Sequence, residues 1–128
     1  MPFVQIHLAQ HFTETIKQTI SQAVHESLVE HFHIPQDDFF QVINALPPSH
    51  LLYPDRYLDV PHTNNLLYVY ITCGPGRTPD MKQALYEAIA SRIAARAPIA
   101  ADDVIIVLNE TAWENWSFGQ GKAQMVKR

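Results

Sequence analysis

The same pattern of residues occurs twice in this chain, with an offset of 65 positions between residues 16 and 81. In each copy an apolar residue recurs at every fourth position, which is the spacing of one face of an α-helix. The two apolar stripes consist of Ile16, Ile20, Val24, Leu28 and Phe32 in the first copy and of Met81, Leu85, Ile89 and Ile93 in the second. The sequence therefore predicts two helices related by an internal duplication.

The signals that start and stop a helix are also present in both copies. Thr13 and Thr78 precede the stripes and are suited to cap a helix N-terminus, and Pro79 is suited to the first helical turn. Pro35 and Pro98 follow the stripes, and a helix cannot continue through a proline without losing a hydrogen bond.

Apolar segments flank each predicted helix and match at the same offset. Residues 3–6 correspond to 68–71, and residues 39–44 correspond to 104–109. Each half is thus predicted to be a β-α-β unit with two parallel strands and a crossover helix.

Two such units predict an α+β fold of two layers, in which a four-stranded sheet carries both helices on one face. We expect a single domain, 1–128, with repeat units at 2–46 and 66–109 and a C-terminal arm at 110–128. The other sheet face would lie bare, although three of the predicted strands, at 39–46, 66–73 and 103–108, are apolar on both faces. Burial against further copies of the chain would cover it, so we expect a homo-oligomer that closes into a ring.

Two segments lie outside the repeat. Residues 47–65 form a proline-rich connection that is too long and too apolar for a simple linker, and we expect it to pack on a neighbour or to rim a site. The tail contains Trp113, Trp116 and Phe118, followed by two glycines, and this pattern predicts a short turn and a hairpin-like arm.

Composition narrows the class of protein. The net charge of −4 leaves no basic stripe to neutralise phosphates, so we expect no nucleic-acid partner. No apolar run approaches the roughly 20 residues of a membrane span, and no secretory leader is predicted. The single cysteine, Cys73, has no internal partner for a disulfide, which favours a cytoplasmic location.

Proline follows the initiator methionine and stands directly before the first strand. Removal of Met1 would give Pro2 a free amine, which ordinarily titrates near about 7.7–8.0 and lower in an apolar pocket. Pro2 is then a proton carrier near neutral pH. The alternative is that Pro2 only begins a strand, where its missing N–H costs nothing. If Met1 is retained, the nitrogen is an amide and cannot act as a base.

Two other segments contain candidate site residues. The turn from Gly74 to Arg77 leads into the second helix, whose N-terminus attracts anions, and Arg77 adds a planar fork suited to a carboxylate. A capping turn with a surface arginine is the alternative. Asp38 stands just before the second strand, and it would reach Pro2 only if the first two strands are neighbours.

Metal and nucleophilic chemistry have weak support. The seven histidines are scattered, and no common zinc pattern is present, so we expect no metal and no other cofactor. Most of these histidines are expected to be exposed. Cys73 ends an apolar strand and is expected to belong to the core rather than to act as a nucleophile.

Several of these features together resemble the tautomerase superfamily, and within it the malonate semialdehyde decarboxylase-like subgroup. The resemblance covers essentially the whole chain. Its most specific segments are residues 38–42, residues 102–105 and residues 116–123. It implies a fold of two β-α-β units, a homotrimer, and an N-terminal proline that acts as general acid or base.

Carried over by position, the resemblance implies a role for each candidate. Pro2 would shuttle the proton, Asp38 would orient a substrate group or a water or tune the proline, and Arg77 would bind a substrate carboxylate. Trp116 and Phe118 would form an apolar wall that desolvates the amine.

One position departs from the subgroup, which has two arginines separated by one residue in this turn. Here Arg77 matches the second arginine, but Pro75 stands where the first belongs. A decarboxylase or hydratase that needs both cations is therefore disfavoured, and a tautomerase acting on a small 2-oxo acid, such as a phenylpyruvate-like enol, is favoured. The alternatives are a decarboxylase or hydratase activity and a non-catalytic trimer that binds a small carboxylate or a protein.

Overall fold

The computed structural model describes residues 2–127, and its main feature is a mixed sheet of four strands. In chain order the sheet contains β1 (Phe3–Ala9), β2 (Gln41–Leu46), β5 (Leu67–Cys73) and β6 (Val104–Glu110), with β3 (Arg56–Tyr57) and β4 (Val60–Pro61) forming a separate hairpin. The two helices, which pack against each other, are α1 (Glu14–Phe32) and α2 (Pro79–Arg96).

The sheet order is β2-β1-β5-β6. Strand β1 pairs with β2 in parallel, β5 pairs with β6 in parallel, and the two halves join through the antiparallel pair of β1 and β5. The prediction of two β-α-β units in a four-stranded sheet is confirmed. Strands β1 and β2 are neighbours, as a role for Asp38 near Pro2 requires.

The helix ends follow the capping residues. The hydroxyl of Thr13 accepts a hydrogen bond from the backbone N–H of Ile16 at 3.2 Å, and Thr78 accepts one from Met81 at 3.2 Å. Helix α1 ends before Pro35, because His33 adopts a left-handed conformation with φ of 57°. Helix α2 likewise ends before Pro98.

The core lies between the sheet and the helices. Along β5 the side chains of Leu67, Val69 and Ile71 are completely buried, whereas the intervening tyrosines are partly exposed. This alternation is the period-2 pattern of a strand with one face on a core. The buried stripe of each helix packs on that face.

The opposite sheet face has a mixed surface. Val42 and Val107 are exposed to 48% and 47% and form its apolar part. Polar side chains also lie there, since His7 hydrogen-bonds to Gln5 and to Asn44. The face therefore combines polar side chains, two of them from β1, with large exposed hydrophobic side chains from both outer strands.

The tail corrects one prediction. Residues 111–127, the described part of the tail, contain a short 3₁₀ helix at Trp113–Asn115 and turns, but no strands, so the prediction of a hairpin-like arm is wrong. The side chain of Gln124 accepts from the N–H of Phe118 and donates to the carbonyl of Gly119, both at 2.9 Å. A side chain thus takes the place of the backbone pairs that a hairpin would form.

Truncation of a core side chain should leave a cavity and destabilise the fold. Ile89 is completely buried on α2, so we expect Ile89→Ala to lower the free energy of unfolding by about 2–5 kcal/mol. The control is Glu87→Ala on the exposed side of the same helix, with an expected change within about 0.5 kcal/mol. Urea unfolding at one fixed protein concentration measures both, and equal effects would contradict the assignment of the core.

Candidate active site

Pro2 is buried at the start of the sheet and lines a cavity of about 300 Å³. Because β1 is an inner strand, its start is held on both sides: the N–H of Val4 donates to the carbonyl of Phe40 at 3.0 Å, and Phe3 pairs with Thr72 of β5. The other residues that line the cavity are Phe3, Phe40, Trp116, Ser117 and Phe118.

Aromatic rings form most of the cavity wall. The rings of Trp116 and Phe118 stack with their centroids 5.4 Å apart and their planes at 7°, and Phe40 lies 6.1 Å from Phe118. We call these three rings the aromatic wall. The indole Nε1 of Trp116 is buried and has no hydrogen-bond partner among residues 2–127. A buried donor without a partner costs stability, so this ring is not held there by polar contacts.

Asp38 lies in the connection between α1 and β2 and is only 5% exposed. Its backbone N–H donates to the carbonyl of Pro35 at 3.1 Å. His25 on α1 supports this connection, because its Nε2 hydrogen-bonds to the carbonyl of Gln36 at 2.8 Å and its ring meets the Phe39 ring edge-on at 4.5 Å. Asp38 therefore has a fixed backbone close to the start of β1.

Arg77 lies in the turn between β5 and α2 and does not line the cavity. Its Nη2 donates to the carbonyl of Phe32 at 3.3 Å and its Nη1 to the carbonyl of Gly74 at 3.4 Å. The guanidinium also lies over the Phe32 ring, 4.9 Å from its centroid. Both hydrogen bonds are long and have neutral acceptors, so the guanidinium is weakly held at the C-terminus of α1.

An ion pair steadies the same turn from the other side. The Lys82 ammonium donates to the Glu110 carboxylate. This contact, with help from the backbone N–H of Gly76, holds the pKa of Glu110 below its usual value, and it raises the pKa of Lys82. Glu110 is the last residue of β6 and pairs in register with Cys73, so the pair ties the end of β6 to the first turns of α2.

The structure thus brings Pro2, Trp116 and Phe118 to one cavity and puts Asp38 on the neighbouring connection. Arg77 lies in the adjoining turn but points toward α1. Among residues 2–127 no group of three histidine, cysteine, aspartate or glutamate side chains is close enough to hold a metal ion. Neither helix in this part of the chain is long and apolar enough to cross a membrane.

Two models of the tautomerase enzyme family match the sequence, one at residues 38–119 and the other at residues 2–59. The chain is also 42% identical to the probable tautomerase YusQ of Bacillus subtilis (strain 168), over 99% of this chain and 100% of the relative. This chain belongs to the tautomerase family. The resemblance seen in the sequence is confirmed, and the activity class is that of a tautomerase-like isomerase.

Solved structures agree with this assignment. The tautomerase superposes on FG41 malonate semialdehyde decarboxylase inhibited by 3-bromopropiolate with a TM-score of 0.89 and 33% identity, covering 95% of this chain and 92% of the other. The fold is also that of a chain described as Q0 fused 4-OT wild type symmetric trimer, with a TM-score of 0.80 and 18% identity over 96% of each chain.

The sequence interpretation missed three features of the tautomerase site. Phe40 belongs to the aromatic wall, and its place in an apolar strand gave no sign of this. His25 is buried, whereas most histidines were expected to be exposed; its place on the buried side of α1, next to Val24, was the available signal. The third is the pair of Lys82 and Glu110, which join only through the tertiary fold.

Cys73 is a core residue, so its thiol should react slowly with an alkylating reagent. The side chain is completely buried, and burial raises the pKa of its thiol. We expect iodoacetamide to label the native protein at least about tenfold more slowly than a free thiol at pH 8, because only the thiolate reacts. A free thiol ionises near about pH 8.5. The labelling rate of Cys73 in the native protein should rise only at a higher pH than this.

Urea-unfolded protein is the control for this labelling, and it should react at the rate of a free thiol. Stoichiometric labelling of the native protein at pH 8 on the time scale of the unfolded control would contradict the burial of Cys73.

Proposed function

We propose that this tautomerase interconverts the enol and keto forms of a small 2-oxo acid, with the free amine of Pro2 as the proton carrier. The observation that carries the proposal is the cavity in which buried Pro2 faces the aromatic wall. The roles of the individual residues and the identity of the substrate are the proposed part.

The aromatic wall supplies the environment that such a carrier needs. Desolvation disfavours the charged form of an amine, so a wall of this kind lowers the pKa of the Pro2 amine below the usual value of about 7.7–8.0. A carrier with a pKa near the working pH both accepts and returns a proton efficiently. The processing of Met1, on which the free amine depends, lies outside the described residues.

The reaction needs one carrier and no other reagent. The enol loses its hydroxyl proton, its C=C electrons form a bond to a proton at the adjacent carbon, and the C–O bond becomes a carbonyl. Pro2 delivers the proton to carbon as an ammonium and is restored as the hydroxyl proton is taken up. The atoms and the charge balance without a cofactor.

Arg77 is the proposed anchor for the substrate carboxylate. Its present hydrogen bonds are long, and both acceptors are neutral carbonyls. A carboxylate forms shorter, charge-assisted and bidentate hydrogen bonds with a guanidinium, so a bound 2-oxo acid competes well for this side chain. The proposal therefore requires the Arg77 side chain to turn from Phe32 toward the cavity.

Asp38 is proposed to act on the carrier rather than on the substrate carboxylate. It lies on the connection that precedes Phe40, one strand away from Pro2. A carboxylate next to an ammonium favours the charged form and opposes the effect of the aromatic wall. The balance of these two effects would set the pKa of Pro2.

A second function has one specific observation in its favour, the 33% identity to a malonate semialdehyde decarboxylase. Loss of carbon dioxide from a 3-oxo acid leaves a charge that cations stabilise. The described turn holds Pro75 next to Gly76, with Arg77 as its only cation, so it offers less positive charge for this step. We therefore rank decarboxylation, and hydration with it, below tautomerisation.

The proposal predicts different kinetic effects for Pro2 and Arg77. With phenylenolpyruvate as substrate, we expect Pro2→Ala to lower kcat/KM by about 10²–10⁴-fold, the usual share of a general acid–base. We expect Arg77→Ala to raise KM by about tenfold, the loss of one charged hydrogen bond. Arg96→Ala, which removes an arginine from the helical layer, is the matched control and should leave KM unchanged.

Intact mass is measured first, because it shows whether Met1 has been removed. A further control inserts one residue between Met1 and Pro2, which converts the amine to an amide and should abolish turnover. Full activity of Pro2→Ala would overturn the proline mechanism. An absence of turnover in protein that lacks Met1, together with binding of small carboxylates, would favour a non-catalytic binding protein.

We also propose that the chain forms a homotrimer. The sheet face opposite the helices exposes Val42 and Val107, and a chain of the same fold is described as a symmetric trimer. A single buried thiol is compatible with a reducing compartment, which supports a cytoplasmic location as a further proposal.

A homotrimer would have three times the mass of one chain in solution. Light scattering after gel filtration should give close to three times the 14.6 kDa of one chain. Val107→Asp puts a charge on the bare face and should shift the mass toward that of one chain, because an unpaired charge is costly to bury. Gln83→Asp on the exposed side of α2 is the matched control. A wild-type mass of one chain would contradict the trimer.

A further inference from the structure

We propose that a contact between Gly74 and Trp113 positions the aromatic wall, so that Trp113 is a positioning residue for the cavity of Pro2. The kinetic part of this inference rests on the proposed function, but its structural part does not. Gly74 follows the last residue of β5, and Trp113 opens the tail that leads to the wall.

The contact leaves no room for a side chain at position 74. A Cβ built on Gly74 would lie 2.2 Å from Cη2 of Trp113 and 2.4 Å from Cζ2, far inside van der Waals distance. Gly74 is not among the described residues with positive φ, which include Gly76, Gly119 and Gly121. Its backbone conformation therefore does not itself require glycine, and the three atoms nearest to the added Cβ all belong to the Trp113 indole.

The chain leads from this contact to the wall in a few residues. The N–H of Thr111 donates to the carbonyl of Cys73 at 2.9 Å, which fixes the start of the tail beside Gly74. Trp113 opens a single 3₁₀ turn, and the N–H of Trp116 donates to the Trp113 carbonyl at 3.3 Å. The indole on Gly74 and the indole of the wall thus belong to one rigid turn.

The wall itself has little polar support. The Trp116 indole N–H has no partner among residues 2–127, and the N–H of Phe118 is satisfied from within the tail, by Gln124. These polar contacts do not tie the stacked rings to the sheet, and the ring contact of Phe118 with Phe40, at 6.1 Å between centroids, is apolar. The packing of Trp113 on Gly74 provides such a tie, because it presses the turn against the end of β5.

Loss of the contact between Gly74 and Trp113 would also affect the Pro2 amine. If the Trp113 ring is pushed off position 74, the turn shifts and the stacked rings move away from Pro2. Water then enters the cavity, the pKa of the amine rises, and the substrate is less well oriented. A displacement of about 1 Å near reacting atoms is enough to lower rates by about 100-fold.

The test labels the protein with 5-fluorotryptophan. The chain has two tryptophans, so ¹⁹F NMR gives two resonances, which Trp113→Phe assigns. We expect Gly74→Ala to shift both the Trp113 and the Trp116 resonance. A Trp116 resonance that stays at its wild-type position while that of Trp113 moves would overturn the proposal, whether or not the protein is active.

A double-mutant cycle tests the steric cause. Gly74→Ala should lower kcat/KM by about 10- to 100-fold and move the basic limb of its pH profile, where the Pro2 ammonium loses its proton, to higher pH. Trp113→Leu should have a similar effect through loss of the contact. Adding Gly74→Ala to Trp113→Leu should change little more, because the clashing ring is gone. Additive effects would contradict the contact as their common origin.

Trp113→Phe keeps the test decisive if Gly74→Ala does not fold. The smaller ring should shift the Trp116 resonance and the pH profile in the same direction as Trp113→Leu but by less. An unchanged Trp116 resonance in both tryptophan variants would overturn the proposal. If wild-type protein lacks turnover, the proposed function fails, while the resonances still decide whether the contact positions the wall.

Discussion

The antiparallel pair of β1 and β5 is the interaction on which the rest of the structure depends. It joins two β-α-β units that would otherwise each have one unpaired inner edge. It also ties Pro2 and the start of β1 into the middle of a sheet, whereas a terminus that is not tied down in this way is rarely rigid. Pairing on both sides of β1 therefore holds the proposed proton carrier in one place.

The same pairing concentrates the candidate site at one end of the sheet. The start of β1, the end of β5 and the connection before β2 meet there, because two strands run in one direction and their antiparallel neighbours end where they begin. Three contacts surround the turn after β5: Trp113 covers Gly74, Lys82 donates to Glu110, and Arg77 reaches the C-terminus of α1. The turn is thereby fixed while the side chain of its arginine remains weakly held.

The two helices contribute more to the frame than to the chemistry. Arg92 pairs with Glu30 and donates to the hydroxyl of Ser27, and Arg96 pairs with Glu26. These pairs are partly exposed, so each contributes little to stability. Apolar packing below them determines how α1 lies on the sheet, and α1 in turn supports the connection of Asp38 through His25. The exposed ion pairs help to align the two helices but contribute little to the free energy of unfolding.

Much of the fold follows from the sequence by itself, because periodicity and capping are local. The four-residue stripes and the caps at Thr13 and Thr78 predicted both helices, and the duplication predicted two parallel strand pairs. The tail was mispredicted as hairpin-like, because aromatic residues followed by two glycines suit a hairpin. Instead, the long-range contact with Gly74 and the side chain of Gln124 determine its turns.

The sequence by itself determined both helices and the four strands of the main sheet. It also supplied Pro2, Asp38, Arg77 and the aromatic tail, since these depend on residue type and spacing. Only the tertiary structure decided that Phe40 joins the wall and that Arg77 faces α1 instead of the cavity. Both depend on which strands are neighbours and on how the loops pack. Those arrangements come from burying a shared core, a property of the whole chain that no local pattern encodes.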